Sequence, residues 1–170
     1  IGISDSTEYF ITHPLSKNRV EHIKSYLKND LNNNHFNKKY KKSFNLIKSK
    51  IIGYTNLHEN VLRQYPLTDQ SINALYARAI SYSLDGQYKK SLKEINSLIK
   101  KEKENPYFLE TKGSILFKYG KVKDSILYLQ KTDKLIPNKP LIKISLSLSI
   151  IKSNQKNLYP EAIFCLEKTL

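Results

Sequence analysis

Apolar residues in the second half of the chain return every three to four positions, in short runs that fall in pairs around a turn. "SINALYARAISYSLDGQYKKSLKEINSLIKKEKENP", "PYFLETKGSILFKYGKVKDSILYLQKTDKLIPNKP" and "PLIKISLSLSIIKSNQKNLYPEAIFCLEKTL" each hold one such pair. This spacing predicts amphipathic helices. Gly86 and Gly120 lie 34 residues apart, and a further 34 leads to Asn154. All three are residue types that accept a left-handed turn. Upstream, Ser16 is placed to cap a helix carrying Val20, Ile23 and Leu27 on one face. The run "NDLNNN" then breaks the chain, because Asn and Asp side chains compete for backbone hydrogen bonds. A longer helix follows, with Phe36, Tyr40, Phe44, Ile47 and Ile51 in one stripe and Gly53 expected to end it. "LHENVLRQYP" predicts a short further helix stopping before Pro66. The fold class is all-α: a helical hairpin feeding a series of helix pairs.

A helix–turn–helix unit repeated at this period resembles the tetratricopeptide (TPR) repeat. The packing positions agree. The eighth residue of each first helix must be small so that its partner can approach, and it is Ala79, Gly113 and then Ser147. The matching position on the second helix is Ser91, Ser125 and, allowing three extra residues in the last turn, Ala162; the same allowance aligns Tyr88, Val122 and Tyr159. The resemblance implies a right-handed α-solenoid of about three units over residues 67–170, preceded by linking helices over 16–66. It also implies a concave protein- or peptide-binding groove lined by Asn73, Tyr76, Ile80, Tyr107, Glu110, Ser114 and Phe117. Tyr suits such a surface, offering contact area and a hydrogen bond at low entropic cost. The alternative for Tyr76 and Tyr107 is packing between repeats.

Charge changes the picture less than its size suggests. The formal net charge is +14, but 26 of the 29 basic residues are Lys. Arg is the residue favoured for bidentate reading of bases and phosphates. Nucleic acid is therefore disfavoured, and no binding motif supports it. Residues 17–50 hold ten basic side chains against Glu21 and Asp30. A solvated face is the plain reading, and an anionic membrane surface approached by Lys38, Lys39, Lys41 and Lys42 is the functional one. No apolar run approaches the roughly 20 residues that span a bilayer. The chain starts at Ile1 rather than Met, so it is expected to be a piece of a longer polypeptide with any targeting signal upstream.

Catalytic chemistry is nearly absent. His13, His22, His35 and His58 include no i, i+4 pair, and there is no H-E-x-x-H helix, phosphate loop or G-x-S-x-G elbow. Cys165, between Phe164 and Leu166, is expected in the core. The exception is "ITHPLSKNRVEHI", in which Thr12-His13-Pro14 precedes Arg19 at a helix start. Followed by linking helices and a TPR array, it resembles the C-terminal region of the BepA-like subgroup of Ste/HtpX/Oma zinc metallopeptidases. That resemblance implies a parent in the periplasm of a Gram-negative bacterium, free or associated with the membrane, and active in protein quality control. His13 would then reach the parent's zinc site, either donating to an oxyanion or plugging the open metal position as a ligand. Arg19 would position the loop. The chain itself would hold no cofactor, zinc belonging to the parent. The competing expectation is a non-catalytic TPR scaffold.

Overall fold

The computed structural model describes Glu21 and residues 34–169. The chain divides into two compact units, 1–42 and 43–170, and the repeats lie wholly in the second. Eight α-helices are described: α1 (Asn34–Thr55), α2 (His58–Gln64), α3 (Ile72–Leu84), α4 (Tyr88–Lys101), α5 (Pro106–Lys118), α6 (Val122–Leu135), α7 (Pro140–Ser153) and α8 (Tyr159–Glu167). From α2 onward each helix packs on the next in sequence. This is the connectivity of an α-solenoid, and the fold is of the TPR type.

Local chemistry explains where the repeat helices begin and end. Ser71 caps α3 by accepting from the Ala74 N–H at 3.2 Å, and Asn105 caps α5 by accepting from the Tyr107 N–H at 3.1 Å. Pro106 and Pro140 occupy first-turn positions, where a missing N–H costs nothing. Gly86, Gly120 and Asn154 all adopt positive φ, at 81°, 73° and 55°. The 34-residue period of left-handed turns is thus realised at each predicted residue. The three extra residues of the last unit form a 3-10 turn over Lys156–Leu158, so α8 opens at Tyr159 as α4 opens at Tyr88 and α6 at Val122.

The small residues at the helix crossings also form the polar ties between helices. Ser91 donates to the Ala79 carbonyl at 2.7 Å, and Ser125 to the Gly113 carbonyl at 2.8 Å. In the third unit the roles exchange: Ser147 on the first helix donates to the Ala162 carbonyl at 3.0 Å. Around these ties, Leu75, Ile95, Leu98, Phe108 and Ile115 belong to one buried cluster, and Ile126, Leu129, Leu146, Ile150 and Cys165 to a second. Each such side chain contributes about 1.5–3 kcal/mol by leaving water.

One expectation for α1 fails, and its packing face is not the apolar stripe. Gly53 does not end the helix, which continues to Thr55. It is buried inside the helix, because a Cβ there would lie 2.8 Å from the Ala77 carbonyl oxygen and 3.0 Å from the Ile80 Cβ. Where its side chains are described, the apolar stripe is not a core face: Tyr40, Phe44, Ile47 and Ile51 are all more than half exposed, and the side chain of Phe36 lies outside the described residues. The face that packs carries Leu46, against the first core cluster, with buried Ser49 and Gly53. Small residues bring α1 onto α3 where a row of large ones would hold it away.

Candidate protein-binding groove

The first helices of the units, α3, α5 and α7, present the groove-facing register. In the first unit that register is already occupied. The second half of α1 lies on it, with Gly53 against Ala77 and Ile80, and Lys50 reaching across to α5 to pair with Glu110 at 2.8 Å. Tyr54 joins Ile80, Ser83, Thr111, Ser114 and Lys118 around a cleft of about 160 Å³.

The predicted lining residues therefore divide. Tyr76 and Ile80 are nearly closed to solvent, at 1% and 2% exposure, Ile80 forming only part of the floor of the cleft beside Tyr54. Tyr76 packs edge-on against Phe108, ring centroids 5.1 Å apart, and its hydroxyl shares a hydrogen bond with Thr111 Oγ1 at 3.1 Å. It serves as packing between repeats, whereas Tyr107 stands half exposed at the rim. Asn73, Glu110, Ser114 and Phe117 are part-buried. Glu110 is held by Lys50 and accepts from Ser114 at 3.2 Å. Phe117 carries the Lys152 ammonium over its ring at 4.8 Å.

The third unit supplies residues that the sequence reading omitted. Leu141, Ile144, Leu148 and Ile151 sit one repeat beyond Tyr107, Glu110, Ser114 and Phe117, at 80%, 37%, 52% and 51% exposure. The signal was the period itself, since adding 34 to each groove position of the second unit gives all four. A second cleft, of about 100 Å³, joins Phe117 and Ser114 to Ser145, Leu148 and Ser149.

Burial shapes the titration of the groove tyrosines. Desolvation pushes the Tyr54 phenol up, and the nearby Glu110 carboxylate adds to this while Lys50 opposes it. Desolvation pushes Tyr76 up much further, against the lowering effect of its Thr111 hydrogen bond. A raised phenol pKa gives stability that is complete below the ordinary value of 10.0 and is lost as pH rises above it, when the unfolded chain ionises first. Tyr76→Phe is expected to flatten the alkaline loss of stability, at a cost near neutrality of about 1 kcal/mol for the hydrogen bond. Urea melts at neutral pH and at alkaline pH would measure both. An unchanged alkaline slope would exclude Tyr76 as its source.

Other candidates are placed as follows. His13, Arg19 and, apart from the helical Glu21, the helix expected after Ser16 lie outside the described residues, as do the side chains of Lys38 and Lys39; Lys41 and Lys42 are exposed. His58 shares a hydrogen bond with Ser81 at 2.8 Å and lies 4.8 Å, ring to ring, from Tyr82. Cys165 is buried, which pushes its thiol pKa up. Among the described residues no cluster of three His, Cys, Asp or Glu side chains could hold a metal ion. Nor, among them, is any helix long and apolar enough to cross a membrane.

No protein-family model and no curated protein matches the chain. Among solved structures it is similar to MamA (AMB-1, P212121 crystal form), with a TM-score of 0.53 at 15% identity over 66% of this chain. At that identity the likeness concerns the fold, and supports the TPR-type α-solenoid read from the helix pairs. The chain spans 60% of the length of the MamA structure.

Proposed function

We propose that this chain is a protein-interaction module whose groove holds a segment of a client protein. The observation that carries this reading is the open groove register. Tyr107, Leu141, Leu148 and Ile151 stand exposed on α5 and α7, with Ile144 more than a third exposed beside them, whereas Phe108, Ile115, Ile142, Leu146 and Ile150 of the same helices are buried. A photo-crosslinking side chain at position 107 or 141 should give protein adducts that excess unlabelled chain competes away. The same label at exposed Leu127 or Ile163, on second helices, should not. Equal labelling from all four positions would sink the groove reading.

In its finer form, the module is the client-recruiting region of a periplasmic, BepA-like zinc metalloendopeptidase in protein quality control. Support for this comes from the order of sequence elements: "ITHPLSKNRVEHI", then linking helices, then the array. His13 would gate or assist the parent's zinc centre, and Arg19 would hold the loop. An H-E-x-x-H helix upstream in the parent reading frame is required, and its absence would reject the protease while leaving the interaction module standing. Where it is present, His13→Ala raises basal proteolysis if His13 is a plug and lowers it if His13 stabilises an oxyanion. No change would reject both roles.

A further inference from the structure

Resting on the groove reading, we infer that the third-unit part of the groove takes an amphipathic helix of a partner protein, one that presents aliphatic side chains flanked by carboxylates. The first-unit part is filled by α1, through Gly53 on Ile80 and Lys50 on Glu110. The open remainder runs from the cleft beside Tyr54 and Lys118, through Ser114, to the cleft at Phe117 and Leu148. It ends on the exposed aliphatics of α7.

Hydrogen bonding selects the form of the occupant. The hydroxyls along this path donate within their own helices: Ser114 to Glu110, Ser145 to the Leu141 carbonyl and Ser149 to the Ser145 carbonyl. An extended peptide would find few donors there for its backbone carbonyls, whereas a helix satisfies its backbone internally. The groove already accommodates one helix, α1, in the adjoining stretch.

Charge selects the flanks. α7 contains no Asp or Glu, and the single carboxylate of α5, Glu110, is neutralised by Lys50. Lys118 and Lys152, one repeat apart, donate to the Ser83 carbonyl and lie over the Phe117 ring respectively. Neither meets a carboxylate among the described residues. A second copy of this chain, itself at +14, is a poor match for such a surface.

The test uses the full chain and a fluorescent helical peptide with Leu at i, i+3, i+4 and i+7 and Glu at the flanking positions. Anisotropy should show saturable binding that weakens about tenfold or more in Leu148→Asn and in Ile144→Gln. It should weaken several-fold, with a flatter salt dependence, in Lys118→Gln/Lys152→Gln. Both α7 sites are exposed, and unchanged melting curves would confirm that the variants fold. Equal binding of a Lys-flanked version, or no binding of the Glu-flanked peptide, overturns the proposal. So does a dimer that Leu148→Asn dissolves, or α7-dependent attachment to phosphatidylserine vesicles in place of peptide binding. If Tyr107→Ala abolishes binding while the α7 variants are silent, the groove reading survives and this inference falls. Silence of all three positions rejects both.

Discussion

Arg78→Met is expected to cost about 3–5 kcal/mol, the usual penalty for breaking one side of a buried ion pair. Arg78 is fully buried in the middle of α3. Its guanidinium donates to the carbonyls of Pro66 at 2.7 Å and Asp69 at 2.8 Å, and to Glu94 on α4 at 3.0 Å. One side chain therefore fastens the turn between α2 and α3 while neutralising a carboxylate of the first repeat. Methionine fills similar space but leaves the Glu94 carboxylate, only 13% exposed, without its cation, and two turn carbonyls without this donor. Lysine keeps the charge, but a single ammonium lacks the planar fork that spreads bonds over three acceptors. The double variant Arg78→Met/Glu94→Leu should recover part of the loss, because removing both partners spares the stranded charge. Urea unfolding would measure the three variants, and hydrogen exchange over residues 65–70 should accelerate in each. A loss below about 1 kcal/mol in Arg78→Met would place the site among ordinary surface pairs.

Arg78 also marks a limit of what the sequence could say. Two of its acceptors, at Pro66 and Asp69, are backbone carbonyls, which carry no residue identity, and Glu94 lies 16 residues away on another helix, so nothing in the local pattern distinguishes it from a solvated arginine. The array, by contrast, was legible because its geometry is enforced by residue type at fixed intervals. Left-handed turns need Gly86, Gly120 and Asn154, and close crossings need Ala79, Gly113 and Ser147. The packing face of helix α1 was not legible for a related reason. Periodicity assigns the core to the densest row of large apolar residues, here Tyr40, Phe44, Ile47 and Ile51. The packing face of α1 depends instead on Ser49 and Gly53, whose value is their small size and which give no hydropathy signal. The same blindness hid the filling of the groove, since the placement of Lys50 opposite Glu110 follows only once α1 is laid on α3. The aliphatic strip of α7 was within reach, because it needed only the period carried one unit further.

Gly53→Ala is expected to destabilise the protein by up to about 2 kcal/mol, although alanine is the better helix former. Intrinsic propensity favours alanine over glycine inside a helix by about 1 kcal/mol. Against this stands a Cβ placed 2.8 Å from the Ala77 carbonyl oxygen, 3.0 Å from the Ile80 Cβ and 3.2 Å from the Ala77 Cα. Two of these atoms are backbone and the third is fixed to it, so no rotamer change relieves the contact, and overpacking of this kind costs about 1–3 kcal/mol. The contact is relieved only if α1 moves away from α3. That movement uncovers Ile80 and lengthens the Lys50–Glu110 pair, so the local consequence should exceed the global one. Gly53→Val, bulkier and β-branched, should lose more, with the order Gly, Ala, Val read from thermal melts. Hydrogen exchange should accelerate over residues 46–55 in both variants while the α5–α6 pair keeps its protection. Gly53→Ala melting above the parent protein would mean that propensity decides at this position, and that α1 is not held on α3 by the absence of a side chain.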